Sequence, residues 1–472
     1  MTFFSAFIFP PLLGCLLIAP FLQHTRFPQK ILFLSAVSFP IGYGACSLLL
    51  FFAYLVAPPV ATWTTLVAGL GIMIFSVKKL LSSFRPTRLS FWAKSIGPFS
   101  LPKFNLLPTV FLITGFLLFV FILIRTLDFY SLTISLNVFG GWDAYYFWAL
   151  KAKFMFRAPA EWQNLFSPDL FWTHPDYPLL LPGSLAWGWL WLGKEAFLWA
   201  PFLAIGFYLS CAFLLIWYLT STVSAFTGYL GASFFLILGP CFFWAVHFYA
   251  DVPLSFFIAG ATLTAIIALR EKEEKLWRVS GLLSGLAAWT KNEGILFILS
   301  FSCLLMAILF FEKIKSKRQF SRRLYCFLSG AILPVLAILI LKTFLGTTGD
   351  YLGSGRTLFD YLTLLFSGWD RVLLLLNAYR KSVTSFTLWR GLWGFFLIAV
   401  FYLGFRNGRS RYKWVPVGIF LLVNLGYAVA ILTSPYNLEW QIQTAFERLL
   451  LHTVPLVLAF SFETLALSPN HQ

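Results

Sequence analysis

Apolar runs of 17 or more residues recur along the whole chain, and they constrain its fold more than any other feature. A bilayer span needs about 20 predominantly apolar residues. Of the 472 residues, 59% are hydrophobic and only 11% are charged, whereas about a quarter are charged in a typical soluble domain. These values exclude a string of soluble domains and predict an all-α polytopic membrane protein.

The length criterion predicts thirteen transmembrane helices. Residues 1–22 have no preceding Lys or Arg and no convincing small-residue cleavage site, so we expect a retained first span. The chain divides into an N-terminal helical part with a basic loop, 1–106, and a larger helical module, 107–472. Two long stretches, 126–195 and 346–387, do not have the pattern of simple spans. The predicted spans are 2–22, 31–57, 60–77, 107–125, 196–219, 226–247, 253–269, 278–291, 294–311, 325–345, 388–405, 414–433 and 449–466.

The basic residues orient these spans. The formal charge is +17, and cytoplasmic loops of membrane proteins carry an excess of Lys and Arg. Placing the basic segments on the cytoplasmic side leaves the other face near neutral, with all eight aspartates on it. We therefore expect a plasma (inner) membrane protein whose stretches 126–195 and 346–387 face outward, the second as an outer lid. The segments assigned to the cytoplasm are Arg26, Lys30, 78–106, 270–278, 313–323 and 406–413.

The first outer stretch contains the most informative segment, 140–157. Gly140 and Gly141 are predicted to end an extended approach, and Asp143 follows where a helix begins. Either Asp143 only caps this helix or it is functional. The pattern predicts an interfacial helix whose aromatic residues face lipid and whose cations face headgroups or phosphate. The aromatic residues that we expect to contact substrate are Trp142, Tyr145 and Tyr146, and the cations are Lys153 and Arg157.

His174 and Asp176 lie in a Pro-bracketed turn that precedes a second predicted juxtamembrane helix. His174 is either a structural residue or a contact for substrate or metal, and Asp176 is a substrate-binding candidate.

Four further charged residues punctuate the outward ends of apolar runs. Asp251 either caps its helix or is functional, because a carboxylate at membrane depth is costly. Lys291 either extends to the interface or neutralises a phosphate. Arg448 either pairs with an acid or binds a phosphate oxygen. Glu439, near the last span, is a substrate-binding candidate.

This pattern resembles the GT-C superfamily of polytopic glycosyltransferases, especially the bacterial branch related to protein O-mannosyltransferases and the lipid A aminoarabinose transferase. The resemblance covers about residues 107–466 and predicts a GT-C-like bundle with two juxtamembrane helices in a long first outer loop. It rests on Gly-Trp-Asp143-Ala-Tyr-Tyr, the run from His174 through Pro-Asp-Tyr-Pro-Leu-Leu-Leu, Tyr249-Ala-Asp251-Val-Pro-Leu, and Ala-Ala-Trp-Thr-Lys291. Asp176 replaces the second Pro of the family element, and Lys-Asn-Glu-Gly replaces its usual Lys-Gly-Pro.

The resemblance implies inverting transfer of a sugar from a polyprenyl-phosphate donor to an acceptor hydroxyl outside the cytoplasm. The acceptor is a glycolipid, a glycan or a protein. Asp143 is expected to act as general base, and Asp251 to orient it or the acceptor, or to hold a divalent cation if the reaction uses one. Lys291, Arg448, Lys153 and Arg157 are expected to bind the donor phosphate. We expect no zinc site, because the six cysteines form no C-x-x-C pair, and no nucleic-acid partner.

A transporter or flippase of a lipid-linked glycan is the alternative. Transporters are typically built from inverted repeats with polar sites at the midplane. The sequence has no evident pairing of halves, and its polar residues lie toward one side. A non-catalytic assembly factor is a third class.

Overall fold

The computed structural model describes residues 2–23, 29–82, 106–311, 317–345, 356–366, 368–405 and 411–466. Within these ranges every regular element is a helix. The N-terminal helices are a π-helical turn Phe4–Ile8, α1 (Phe9–Leu22), α2 (Lys30–Val56), a 3₁₀ turn Pro58–Val60, α3 (Ala61–Ser82) and α4 (Leu106–Leu136).

The segment between α4 and the next long helix contains only short helices. They are a π-helical turn Ala144–Ala149, α5 (Leu150–Arg157), 3₁₀ turns Pro159–Phe166 and Pro168–Thr173, and α6 (Leu180–Leu192). The central helices are α7 (Trp199–Thr222), α8 (Ala225–Leu236), α9 (Gly239–Val246), α10 (Asp251–Arg270), α11 (Leu276–Thr290), α12 (Asn292–Phe311) and α13 (Lys317–Thr343).

The C-terminal part begins with three helices in the second predicted outer stretch and ends with the helices that close the bundle. They are α14 (Leu358–Phe366), α15 (Trp369–Thr384), α16 (Phe386–Trp389), α17 (Leu392–Phe405), a 3₁₀ turn Arg411–Trp414, α18 (Val415–Thr433), α19 (Leu438–Leu451) and α20 (Val454–Leu465).

Eight helices in the described ranges are long and apolar enough to cross a membrane, and the number reaches ten if each of two bent pairs is one span. The bent pairs are α8 with α9, at 63°, and α19 with α20, at 45°. The chain is thus a helical membrane protein, as the apolar runs predict. The count of thirteen is not confirmed. The predicted span 278–291, for example, is the 15-residue helix α11.

One prediction for the first outer stretch is wrong. The α4 helix continues to Leu136 rather than ending near 125, so Gly140 and Gly141 follow a helix and a short turn instead of an extended approach. The helix at the predicted second juxtamembrane position, α6, is enclosed by the rest of the protein, since eleven of its thirteen residues are buried. Its Trp187 Nε1 donates to the Ser5 carbonyl at 3.0 Å, and the preceding Leu179 carbonyl accepts from Ser47 at 2.7 Å. A helix that is apolar on every side is most stable when all of its faces are buried.

The α10 helix is fully enclosed by the bundle, because its entire apolar stretch is buried inside the protein. It packs against α7, α11 and α20. Asp251 begins α10 and Arg270 ends it, about 30 Å away at 1.5 Å per residue. The α11 helix then returns, so Lys291 comes back to the level of Asp251.

The opposite end of the bundle holds many of the basic residues that the sequence assigns to the cytoplasm. Lys79 and Arg278 both face the Phe21 ring, at 5.0 and 5.2 Å from its centroid. Arg322 pairs with Glu274 at 2.7 Å. Arg26 and the members of that set in 83–105, 313–316 and 406–410 lie outside the described residues. The described basic loops and the aspartates at 143 and 251 therefore occupy opposite ends of the helices.

Candidate active site

Asp251 is the centre of a buried ionic cluster. Its side chain is fully buried, and three donors from distant parts of the chain converge on it. Lys291 Nζ lies 3.0 Å from Oδ1, Arg448 Nε 2.9 Å from Oδ2, and His452 Nε2 2.8 Å from Oδ1. A buried carboxylate is stable only when its charge is paired and its oxygens are hydrogen-bonded, and Asp251 meets both conditions.

Arg448 joins the two predicted carboxylates. While its Nε donates to Asp251, its Nη2 donates to Asp143 Oδ2 at 2.6 Å. The guanidinium also lies over the ring of Tyr249, 4.5 Å from the centroid, and near Trp244 at 5.3 Å. The planar fork of arginine suits this bridging, which lysine cannot reproduce. Arg448 thus pairs with two acids in this structure, while its binding of a phosphate oxygen stays a prediction.

Asp143 does not cap its helix. It stands at the N-cap position, but its side chain makes no capping hydrogen bond. One oxygen goes to Arg448, and the other, Oδ1, makes no hydrogen bond with the described residues. Burial raises the pKa of the Asp143 carboxyl, and the nearby Arg448 and Lys291 offset only part of that effect. Asp143 is therefore a carboxylate with one unbonded oxygen and a raised pKa.

The glycine pair before Asp143 allows the close approach of the loop to Tyr249. Gly140 has φ +74°, a conformation that favours glycine. The Gly141 backbone N–H donates to the His247 carbonyl at 3.0 Å, and a Cβ on Gly141 would lie 2.2 Å from Tyr249 Cε2. Tyr249 in turn supports Arg448, so the glycines position the Asp143 loop against the cluster.

The cations of the cluster are outnumbered by carboxylates. Lys291 contacts Glu293 at 2.8 Å as well as Asp251, and the second oxygen of Glu293 is buried without a hydrogen-bond partner in the described residues. Within the described ranges, the cations that contact Asp143, Asp251 and Glu293 are thus Lys291 and Arg448. A phosphate at this site has to compete with carboxylates for both cations.

Sequence reasoning missed His452 and Tyr427. His452 is fully buried, and its Nδ1 lies 2.8 Å from the Tyr427 hydroxyl while its Nε2 contacts Asp251. One signal for His452 was available, because it follows Arg448 by four residues and so lies on the same face of a helix. Nothing in the sequence indicates the pairing of Tyr427 with it.

Two predicted phosphate-binding cations, Lys153 and Arg157, do not reach this cluster. Arg157 pairs with Glu195 through Nε and through Nη2, the latter at 2.9 Å. Lys153 Nζ lies 4.6 Å from the Tyr145 ring centroid. The reason is the rotation of α5 about its axis: Lys151, two residues before Lys153, is the lysine that points inward and is buried.

His174 and Asp176 belong to a second polar cluster. His174 has φ +49° and stacks on Tyr177, and its carbonyl accepts from Lys151 Nζ at 2.5 Å. Asp176 is buried; its Oδ2 accepts from Asn292 at 2.6 Å and lies 3.3 Å from Lys342 Nζ. Burial lowers the pKa of Lys151 to about 7. These contacts hold the turn against α12 and α13. Asn292, which donates to Asp176, directly follows Lys291 in the sequence.

The remaining substrate-binding candidates lie at the surface. Trp142 and Tyr145 are 60% and 42% exposed, and Tyr146 packs against Trp142 in a tilted arrangement with ring centroids 4.1 Å apart. Glu439 is exposed in the first turn of α19 and contacts none of the cluster residues. The structure therefore brings together Asp143, Asp251, Lys291 and Arg448, but not Glu439.

No group of three His, Cys, Asp or Glu side chains within the described ranges is arranged to hold a metal ion. The positive charges that face Asp251 come instead from Lys291 and Arg448. In comparisons with protein-family models, curated proteins and solved structures, no match to the chain was found.

Proposed function

We propose that the chain is a glycosyltransferase that moves a sugar from a polyprenyl-phosphate-linked donor to an acceptor hydroxyl with inversion, with Asp143 as general base. The single observation that carries the proposal is the Asp143–Arg448–Asp251 bridge. It places a carboxylate with one unbonded oxygen beside a cation at one end of an apolar bundle.

The properties of Asp143 fit the role of base. A general base works best when its pKa lies near the working pH, and burial raises the pKa of Asp143 toward that range. In glycosyl transfer the sugar carbon is already cationic in the transition state, so a carboxylate suffices to take the acceptor proton. The unbonded Oδ1 is the oxygen that would accept it.

The leaving phosphate is assigned to Arg448 and Lys291. Arg448 Nη1 makes no hydrogen bond within the described residues, and the side chain is 13% exposed. A donor phosphate that approaches Arg448 competes with Asp143 for it. Its arrival therefore weakens the Asp143–Arg448 bond and makes the carboxylate more basic, so donor binding and base activation are coupled.

The surface beside Asp143 suits a lipid-linked donor. Phe139 and Trp142 are each 60% exposed. Together with Tyr145 and Tyr146 they line a shallow depression that contains Gly140 and Gly141. Aromatic rings are typical of the membrane–water interface. A polyprenyl chain in the bilayer could place its phosphate at the cluster by crossing this surface.

The test is transfer of labelled sugar from a polyprenyl-phosphate donor by purified protein in lipid vesicles. Replacing Asp143 by Asn should lower the rate by about 10²–10⁴-fold, the usual contribution of a general base. Asp169→Asn is the matched control, because Asp169 is an exposed aspartate in the same outer stretch and should leave the rate unchanged. Near-normal transfer by a folded Asp143→Asn protein would falsify the proposal.

We further propose that this end of the bundle faces outward from the plasma membrane. The support is the location of the described basic residues at the other end, together with the positive-inside rule. A cysteine introduced at Asp169 should react with a membrane-impermeant maleimide in intact cells. Reaction only after the membrane is opened would reverse the orientation. Mass spectrometry of envelope glycolipids with and without the protein would then identify the sugar and test a lipid acceptor.

The alternative, a transporter or flippase of a lipid-linked glycan, also has an observation in its favour. The cluster combines three carboxylates with a buried histidine, and chains of Asp, Glu and His at membrane depth are typical of proton-coupled carriers. The same vesicles separate the two functions. A transferase releases free polyprenyl phosphate, whereas a transporter moves the lipid-linked sugar across the bilayer without consuming it.

A further inference from the structure

His452 is a buried polar residue that the proposed chemistry does not use. It lies at the break between α19 and α20, its side chain is fully buried, and both ring nitrogens have partners. These partners come from two other helices, Asp251 from α10 and Tyr427 from α18. The imidazole thus links three helices at the base of the ionic cluster.

The contacts define the direction of each hydrogen bond. Asp251 faces Lys291 and Arg448, so it is ionised and can only accept. His452 Nε2 therefore carries a proton and donates to Asp251 Oδ1. A neutral ring then has an acceptor at Nδ1, which the Tyr427 hydroxyl satisfies as donor.

We propose that His452 is a positioning residue of the candidate active site: it fixes the Asp251 carboxylate in the rotamer that holds both Lys291 and Arg448, and Tyr427 fixes the tautomer of His452. Arg448 is thereby presented to Asp143 by a chain of contacts that starts at Tyr427. The test of this role by activity rests on the proposed function, whereas the test by histidine signals does not.

The alternative is that Lys291 and Arg448 alone fix the rotamer of the Asp251 carboxylate. They do not suffice, because Oδ1 of Asp251 is shared between Lys291 and His452, and Lys291 is also drawn toward Glu293 at 2.8 Å. Without the imidazole, Lys291 is shared between the carboxylates of Asp251 and Glu293, and Asp251 Oδ1 loses the one uncharged donor that it has among the described residues. The charged and titratable groups that face His452 are Asp251 on α10, Lys291 and Glu293 at the α11–α12 junction, Tyr427 on α18 and Arg448 one turn away.

The activity test compares two substitutions at this position in the vesicle assay. His452→Gln retains an N–H donor that can reach Asp251, whereas His452→Phe has no donor. A hydrogen bond to a charged group contributes about 1.5–3 kcal/mol, equivalent to about a 10- to 150-fold change in rate. We expect His452→Phe to lower kcat by that factor with little change in KM, and His452→Gln to stay within about threefold of the wild type. Equal losses in the two variants would overturn a positioning role.

A structural test does not require activity or the Phe variant. In protein labelled with ¹⁵N-histidine in bilayers, the His452 signals are those missing from His452→Gln. They should show a proton on Nε2 and none on Nδ1, and Tyr427→Phe should shift the Nδ1 signal. Asp251→Asn should shift the Nε2 signal. A proton on Nδ1 alone, or signals that ignore both substitutions, would overturn the inference. If the wild type moves no sugar but these signals appear, the proposed function fails while the positioning contact stands.

Discussion

The sharpest test of the site is a single methyl group placed at Gly141. Its Cβ would lie 2.2 Å from Tyr249 Cε2 and 2.9 Å from the Tyr249 hydroxyl. An ordinary contact begins near 3.4 Å, so the ring has to retreat by about 1.2 Å. The φ angle of Gly141 is not in the left-handed region, so alanine is allowed by the backbone and the effect is steric.

The displaced ring transmits the change to Arg448. The guanidinium lies 4.5 Å from the Tyr249 centroid, so a ring that moves by about 1 Å alters the bridge between Asp143 and Asp251. Overpacking of this size costs about 1–3 kcal/mol of stability, and a misplacement of about 1 Å at a reacting group can cost about 10²-fold in rate. We expect Gly141→Ala to show both losses.

The assay measures unfolding by titration with a denaturing detergent, together with sugar transfer in vesicles. Gly239→Ala is the matched control, because a Cβ there would meet no atom within 4 Å. A double variant, Gly141→Ala with Tyr249→Leu, should recover part of the stability but not the transfer, since the ring under Arg448 is gone. If Gly141→Ala is as stable and as active as the wild type, the assigned contact between Gly141, Tyr249 and Arg448 is wrong.

Three further outcomes follow from the contacts. Asp251→Ala should lower the free energy of unfolding by about 3–5 kcal/mol in detergent titrations, because it strands buried cations; no loss would contradict the burial of Arg448. Arg448→Ala should abolish transfer, whereas Lys153→Ala should lower it by less than about threefold, on the scale of an exposed interaction; equal losses would return Lys153 to the site. The pKa of Lys151 is lowered to about 7 in the folded chain and is near 10.5 when unfolded, so stability should rise between about pH 7 and 10. In detergent unfolding at several pH values Lys151→Met should remove that rise, and an unchanged slope would contradict the shift.

The sequence predicts the helices better than it predicts their contacts. Hydropathy marks α10 to within two residues, because 253–269 was expected and Asp251–Arg270 is observed. The same reasoning places Asp251, Lys291 and Arg448 at one end of the spans, where the structure gathers them. Burial of apolar surface and span length are local properties of the chain, so they can be read from it directly.

What the sequence does not specify is the rotation of each helix about its axis and the identity of its partners. Rotation depends on packing against neighbouring helices, and it directs Lys151 inward while Lys153 and Arg157 face away from the cluster. His452 is likewise hidden by its apolar surroundings, since one histidine near a long hydrophobic run gives no periodic signal. The contact between Arg448 and Asp143 spans 305 residues, a separation over which no local pattern is informative.

The enclosed position of α10 has a consequence for biosynthesis. Asp251 and Lys291 are separated by 40 residues and Asp251 and Arg448 by 197. At about 5–20 residues per second, Lys291 is made about 2–8 s after Asp251, and Arg448 only after about 10–40 s. During that interval Asp251 has one cation instead of two. The α10 helix, whose apolar stretch is fully buried in the finished protein, therefore carries an incompletely paired carboxylate while the rest of the chain is being synthesised.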